Sequence, residues 1–318
     1  MKKPDREKRT KQTKRANGLK WLVITALLAG VIIGGISLLN KGASAIKLKH
    51  IHGLGYSPDG AKLIVPAHDG IRIYDNGSWS VPPGDQNDYM GFSAVDDGFY
   101  SSGHPGQGSS LSNPLGIIKS NDTGKTISVL ALEEESDFHG MSVGYKTHII
   151  YAFNAAPNSK MSSPGLFYSK DEGQTWAKSE SFGVEGEPAA LAVHPEKENV
   201  IALGTQTGVF LSDDYGQRFE KIVPDLQVTA LYFNLQGNLL VGGYVQSPVL
   251  QLVDTKSKAI STFPIPELDD DAIAYIAQNP VMPNEFTFAT AQRDIYITRD
   301  DGVSWLKIAN QGKALDGQ

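Results

Sequence analysis

The sequence contains no cysteine. A chain without thiols forms no disulfide bonds, carries no lipid on cysteine and offers no thiolate ligand to a metal. The fold must therefore be stabilised by its own hydrophobic core, and a hydrophobic share of 40% over 318 residues is enough for one large or two small cores. With charged residues at 20%, the composition is that of a folded protein.

Contiguous catalytic and ligand-binding motifs are also absent. The sequence has no G-x-S-x-G nucleophile motif and no EF-hand loop with its acidic twelfth position. The stretch GHPGQGSS (103–110) lacks the glycine order of a dinucleotide-binding loop, and no helical pattern follows it. Any activity must therefore depend on residues that the fold brings together from distant positions.

Charge is distributed very unevenly along the chain. Residues 1–20 have a net charge of +7, against −6 for the whole chain, so that the remainder carries −13. The segment 21–39 (WLVITALLAGVIIGGISLL) has no charged residue and is long enough to cross most of a hydrocarbon layer about 30 Å thick. Because flanking Lys and Arg are retained in the cytoplasm, we expect a basic cytoplasmic leader (1–20), a single transmembrane anchor (21–39), a short linker (40–45) and an extracytoplasmic domain (46–318).

The alternative is that the segment 21–39 belongs to a signal peptide that is removed by cleavage. Ala43, Ser44 and Ala45 fit the small-residue pattern of a signal-peptide cleavage site, which would release a secreted protein after Ala45. In either case the sequence predicts a membrane or extracellular location. The acidic charge of the remainder argues against a nucleic-acid partner.

An eight-residue pattern occurs four times after the anchor. The copies are SNDTGKTI (120–127), SKDEGQTW (169–176), SDDYGQRF (212–219) and TRDDGVSW (298–305), at intervals of roughly 45 residues or twice that interval. Degenerate copies in IYDNGSW, around Asp75, and in LVDTKSKAI (252–260) bring the number of units to six.

Each unit also contains four short apolar or alternating segments separated by turn residues. The fourth unit, for example, reads ALAVHP, VIALGT, GVFLSD and FEKIVP. Such segments are typical of β-strands, and no helical period occurs after residue 40. Six units of four antiparallel strands predict an all-β fold, a six-bladed β-propeller over residues 46–318.

The octets resemble Asp-box, or BNR, repeats (S-x-D-x-G-x-T-W), which occur in sialidases, sortilin-type receptors, xyloglucanase-like hydrolases, a photosystem assembly factor and bacterial exported proteins similar to glycosyl hydrolases. The resemblance covers residues 46 to about 310 and implies that each octet is a structural turn between the third and fourth strands, on the face away from the ligand. The residues that it assigns to this structural role are Asp122, Gly124, Asp171, Gly173, Trp176, Asp214, Gly216, Asp300, Gly302 and Trp305.

Histidines are concentrated at the opposite, ligand-binding end of the predicted propeller. When the first strands of the units are aligned, His52, Met90 and His139 occupy equivalent positions, and the ends of the second strands superpose His68 on His104. Imidazole nitrogens favour zinc, copper, iron or nickel, and a thioether shifts the preference towards copper. We therefore expect a copper or zinc site formed by His52, His68, His104, His139 and Met141. The alternative is that these histidines hydrogen-bond loops or stack in the channel.

The predicted function is binding of a ligand, a metal or a protein partner at the channel mouth of blades 1–3. The residues expected there are His52, His68, His104, His139, Met90 and Asp137. The partner would be a carbohydrate, a metal or an exported protein. His148 is expected within a strand, and His194 in a turn at the other end.

A glycoside hydrolase or lyase related to the Asp-box enzymes is the alternative function. A sialidase is not expected, because only Arg72 and Arg293 are left to clamp a substrate carboxylate on the ligand face. A glycosidase would need two carboxylates roughly 5 to 10 Å apart, together with aromatic platforms for the sugar rings. The candidate carboxylates are Asp88, Glu135, Asp137, Glu187, Asp269, Asp270, Asp271 and Asp294, and the candidate aromatics are Tyr56, Tyr89, Phe138 and Tyr244.

Overall fold

The computed structural model describes residues 46–317, and these form six antiparallel β-sheets arranged as the blades of one propeller. Blade 1 contains β1 (Gly55–Tyr56), β2 (Leu63–Ala67), β3 (Gly70–Asp75) and β4 (Ser78–Ser80). Blade 2 contains β5 (Asp88–Val95), β6 (Gly98–His104), β7 (Ile117–Ser120) and β8 (Ser128–Ala131). Blade 3 contains β9 (Met141–Val143), β10 (Ile150–Asn154), β11 (Gly165–Ser169) and β12 (Ala177–Ser179).

The second half of the chain repeats this arrangement. Blade 4 contains β13 (Ala190–Val193), β14 (Ile201–Thr205), β15 (Gly208–Ser212) and β16 (Glu220–Pro224). Blade 5 contains β17 (Gln227–Phe233), β18 (Leu239–Tyr244), β19 (Pro248–Val253) and β20 (Ile260–Thr262). Blade 6 contains β21 (Ile273–Gln278), β22 (Phe286–Thr290), β23 (Ile295–Thr298), β24 (Leu306–Asn310) and β25 (Lys313–Ala314). The predicted all-β, six-bladed propeller is confirmed.

The second strand of each blade is buried on both faces, since it lies inside its own sheet and between neighbouring blades. In β2, β14 and β22 every residue is buried, which explains why these strands contain no charged residue. The fourth strands are less buried; all three residues of β20 are exposed, whereas β16 and β24 each bury two residues. The hydrophobic core is therefore divided into separate layers between neighbouring blades, which we call the seams.

The octets form the turns between the third and fourth strands. In the second octet, Ser169 Oγ donates to Asp171 Oδ1 (2.8 Å), and Asp171 accepts the backbone N–H of Thr175 (2.8 Å) and its hydroxyl (2.6 Å). Gly173 has φ of +86°, a conformation that residues with a Cβ rarely adopt. The hydrogen bond from the Thr175 hydroxyl is the main cause that lowers the pKa of Asp171.

The last octet also joins two blades. Trp305 packs against Phe288 of blade 6, with ring centroids 4.8 Å apart, and its Nε1 donates to the carbonyl of Pro264, which follows blade 5 (3.0 Å). Thr298, Asp300 and Ser304 repeat the hydrogen bonds of the second octet. The aspartate therefore holds the turn, and the tryptophan fills the seam.

The ring closes by pairing of both ends of the described chain. Lys47 pairs antiparallel with Lys313, the Leu48 N–H donates to the Gly312 carbonyl (2.8 Å), and Leu48 is fully buried. The Trp79 indole of blade 1 donates to a carbonyl of β24 (2.9 Å). The segment 46–49 thus lies beside blade 6, whose sheet ends with β24 and β25.

The predicted leader, anchor and linker lie outside the described residues. Within residues 46–317 no helix is long and apolar enough to cross a membrane.

Candidate functional site at the channel mouth

The first strands of all six blades line a central channel of about 430 Å³. A first strand begins at the end of the channel where the antiparallel second strand finishes, as the pairing of Asp88 with His104 shows. Residues before a first strand and residues after a second strand therefore meet at one end, which we call the channel mouth. His52, Met90 and His139 all line the cavity there.

The first imidazole cluster consists of His52, His68 and Asp88. His68 Nδ1 lies 2.7 Å from Asp88 Oδ2, and His52 Nε2 lies 3.3 Å from Asp88 Oδ1. One ligand atom from each residue lies within 4.8 Å of the others. The His50 ring is also close, with its centroid 5.9 Å from that of His68. Two imidazoles from blade 1 thus share one carboxylate from blade 2.

Two atoms of this cluster are buried without a hydrogen-bond partner, His52 Nε2 and Asp88 Oδ1. The Asp88 side chain is only 9% exposed. Burial lowers the pKa of His52; the Asp88 carboxylate opposes this effect, and His68, His50 and His139 add to it. A lowered pKa keeps the His52 imidazole neutral at pH 7, with a lone pair available to a ligand.

The second imidazole cluster consists of His104, Asp137 and His139. Asp137 Oδ2 lies 2.7 Å from His139 Nε2 and 3.1 Å from His104 Nε2. On its other side, His104 Nδ1 lies 2.7 Å from Asn113 Oδ1. Asp137 Oδ1 is buried without a partner. This cluster therefore repeats the use of one carboxylate by two imidazoles.

The two clusters are related by the repeat of the blades. Asp88 begins β5, the first strand of blade 2, and lies two residues before Met90. Asp137 lies two residues before His139, which precedes β9, the first strand of blade 3. In blade 1 the corresponding residues are His50 and His52. His68 and His104 follow or end the second strands of blades 1 and 2.

The structure brings most of the predicted site residues together. His52, His68, His104, His139 and Asp137 form the two clusters, and Met90 lines the channel beside them. Met141 is buried in the core between blades 2 and 3 and also contributes to the channel wall. Its role as a metal ligand stays a prediction.

His148 is not within a strand, as the sequence suggested, but in the turn before β10, since the β9–β10 connection occupies residues 144–149. Its Nε2 lies 2.7 Å from Asp96 Oδ1, at the end of the channel opposite the mouth. His194 lies in a turn at that same end and accepts the N–H groups of Glu196 and Lys197.

Sequence reasoning missed Asp88 and Asn113 as members of the histidine site. Asp88 entered only as one of many acidic candidates, although its place two residues before Met90 matches that of Asp137 before His139. Asn113 lies in a long loop with no repeat counterpart, so no sequence signal pointed to it.

The aromatic residues suggested as sugar platforms are mostly in the core. Tyr56, Tyr89 and Phe138 are buried, and only Tyr244 is partly exposed, at 36%. Burial raises the pKa of Tyr89 to about 12. Three of the four aromatics therefore offer no exposed ring face to a carbohydrate.

Comparison with known proteins supports the fold. The GH74 xyloglucanase of Xanthomonas campestris is similar with a TM-score of 0.54 and 14% identity, over 85% of this chain and 46% of the enzyme. A GH74 enzyme of Niastella koreensis gives 0.53 and 14%, over 83% and 46%. The chain thus spans about half the length of either GH74 enzyme.

A gluconolactonase of Xanthomonas campestris is similar with a TM-score of 0.54 and 11% identity, over 77% of this chain and 84% of the enzyme. No protein-family model and no curated protein sequence matches the chain. At these identities the likeness shows the propeller fold alone.

Proposed function

We propose that the channel mouth binds a transition-metal ion, zinc or copper, through His52, His68 and Asp88. The observation that carries the proposal is the convergence of three ligand atoms within 4.8 Å, two of which are buried and have no hydrogen-bond partner. Buried polar atoms are normally paired, so an unpaired imidazole nitrogen facing an unpaired carboxylate oxygen indicates that a cation belongs between them.

The distances suit such an ion. Tetrahedral coordination at about 2.0–2.1 Å places two ligand atoms roughly 3.3–3.4 Å apart. His52 Nε2 and Asp88 Oδ1 lie 3.3 Å apart. His68 is on the exposed rim, at 60%, and can turn towards the ion without disturbing the core. Imidazole and carboxylate ligands together are typical of zinc and copper sites.

The test is metal analysis of the full-length chain, purified in detergent without a histidine tag. We expect close to one equivalent or more of zinc or copper in the wild type, with loss of the ion from this cluster in H52A and D88N. Asp88→Asn keeps the shape of the side chain and removes its charge, so that loss of metal reports on ligation.

His148→Ala is the matched control. It removes an imidazole from another cluster with two carboxylates, Asp96 and Asp97, at the opposite end of the channel. Metal retained in H148A and lost in D88N supports the proposal. Metal lost in H148A but retained in D88N, or no metal in the wild type, would contradict it, and the histidines at the mouth would then serve only to neutralise Asp88.

A propeller glycoside hydrolase or lyase remains the second candidate, favoured by the names of the structural neighbours. The carboxylates of Asp88, which is buried, and Asp137, which is half-buried, would be its catalytic pair. Hydrolysis of xyloglucan or of an aldonolactone by the wild type, lost in D88N and unaffected by removal of metal, would favour it over the metal-binding function.

We also infer that the octets are Asp boxes and that the propeller is extracytoplasmic. The hydrogen bonds of Ser169, Asp171 and Thr175, and the conformation of Gly173, support the first inference. The basic leader and the uncharged segment 21–39 support the second, with release after Ala45 as the alternative. Mass spectrometry of the mature N-terminus distinguishes an anchored chain from a cleaved one.

A further inference from the structure

We propose that the lumen of the central channel, below the imidazole clusters of the mouth, binds a small neutral carbohydrate without cleaving it. The cavity, about 430 Å³, is within the size range of small-molecule sites. This proposal goes beyond the metal site, because it concerns residues deeper in the channel.

The first argument is the charge of the lumen. Among the described residues that line it there is no Asp, Glu, Lys or Arg, and its only imidazoles, His52 and His139, lie at the mouth. A charged ligand would lose its hydration there without gaining a counter-ion, which is costly in a confined site. Hydrolysis by a pair of carboxylates also has no residues to perform it inside the lumen. The lumen therefore suits a neutral ligand that is bound and not hydrolysed.

The second argument is the backbone of the wall. The first strands β1, β5, β9, β13, β17 and β21 each form an edge of their sheet, and it is this free edge that lines the lumen. An edge strand presents a row of N–H and C=O groups without strand partners. The wall thus offers both donors and acceptors, all uncharged. A hydroxyl group both donates and accepts, so a ring with several hydroxyls matches this wall.

The third argument is a break in the regular pairing of three first strands. The register shifts near the start of β5, β17 and β21, as it does at a β-bulge. The residue without a pairing partner in β17 is Thr229, which lines the lumen and whose Oγ1 is buried without a hydrogen-bond partner. Bulges often redirect side chains beside binding sites. Rotation about the Cα–Cβ bond of Thr229 can direct this unpaired hydroxyl to a ligand.

The fourth argument is a set of three tyrosines. Tyr145, Tyr232 and Tyr275, from blades 3, 5 and 6, line the lumen and are half-buried. Burial raises the pKa of Tyr232 to about 12 and also raises the pKa of Tyr275, so both hydroxyls stay protonated at neutral pH. Rings with an apolar body and a polar tip suit a sugar, which has both C–H and hydroxyl groups. Unlike the buried aromatics that the sequence suggested, these rings are accessible from the channel.

The test is ligand-observed NMR on the full-length chain, in a detergent without a sugar headgroup. Glucose and xylose are the neutral probes, and glucuronate is the charged counterpart of glucose. We expect both neutral sugars to bind and glucuronate to bind about tenfold more weakly or less, because its carboxylate finds no counter-ion in the lumen.

Tyr275→Phe and Thr229→Val each remove one hydroxyl and keep the shape of the side chain. We expect each to weaken the binding of glucose by about threefold to tenfold, the contribution of one hydrogen bond. Tyr244→Phe is the matched control, because Tyr244 lies at the end of β18, is 36% exposed and does not line the lumen. Its affinity for glucose should equal that of the wild type. Thermal unfolding checks that each variant is folded.

The failures of this proposal and of the metal site are distinguishable. Metal analysis of the same samples should show metal retained in Y275F and lost in D88N, whereas D88N should still bind glucose. No binding of either neutral sugar to the wild type, or equal binding in T229V, Y275F and the wild type, would overturn the carbohydrate site. Binding lost in D88N but kept in T229V and Y275F would place the sugar on the metal at the mouth, which also overturns it.

Discussion

Gly173 lies in the turn of the second octet, where both its backbone conformation and its close neighbours disfavour a side chain. Its φ is +86°, and a Cβ there would lie 3.0 Å from the Ala131 Cβ and 3.1 Å from the Ile117 Cδ1 of blade 2. Gly108 has nearly the same φ, +89°, but nothing lies within 4 Å of a Cβ built on it. A comparison of the two glycines therefore separates the energetic cost of a left-handed backbone from the cost of close contact between a new side chain and blade 2.

We expect Gly108→Ala to lower the free energy of unfolding by about 1–2 kcal/mol, the cost of a left-handed conformation for an L-residue. Gly173→Ala should cost more, because it adds close contact with blade 2 to the same conformational cost. Chemical denaturation of the two variants against the wild type measures the difference. Equal losses of unfolding free energy in the two variants would show that blade 2 shifts away from the new methyl group without a measurable cost.

At the scale of elements, the segment that closes the ring, residues 46–49, is short and is held by one buried side chain. Leu48 is 1% exposed and packs among residues of blades 1 and 6. Its backbone N–H donates to the Gly312 carbonyl, and Ile46 accepts from Ala314. The closing segment is therefore fixed by a side chain in the seam as well as by strand pairing.

Leu48→Ala should lower the free energy of unfolding by about 2–5 kcal/mol, as for other large-to-small substitutions in a core. Ile260→Ala is a suitable control, because Ile260 lies in the outer strand β20 and is 45% exposed. We expect this control to stay within about 0.5 kcal/mol of the wild type. A small loss for L48A, measured by the same denaturation, would mean that the ring is closed without this segment.

The fold could be predicted from the sequence because its signals are local. Asp171 and Gly173 are what the turn between two strands requires, and their recurrence gives the number of blades. The equivalence of His52 and His139 also followed from aligning the first strands. The ion pair between Asp88 and His52 could not be predicted in this way. It depends on the angle between blades 1 and 2, which no short stretch of sequence determines.

At the scale of the whole molecule, the two imidazole clusters bridge three blades. The first joins blades 1 and 2, and the second joins blades 2 and 3. An ion bound between blades binds the folded state and not the unfolded chain, so it must stabilise the whole propeller.

We expect metal at 100 times its dissociation constant to raise the free energy of unfolding by about 2.7 kcal/mol. The thermal midpoint of the wild type should rise by several degrees on loading with metal and fall again with a chelator. The D88N variant should show no such shift. A shift of equal size in D88N would place the stabilising ion elsewhere.

The pairing of residues 46–48 with residues 312–314 makes the circle of blades continuous, so that no blade is structurally the first. The order in which the blades follow one another in the sequence could therefore be rotated: a linker from Gly317 to Ile46, with new termini in an exposed loop, would keep the pairing of residues 46–48 with residues 312–314 and the hydrogen bonds of Asp316 and Gly317 to blade 1. The channel mouth would be unchanged by such a circular permutation, because its residues depend on which blades are neighbours and not on where translation starts.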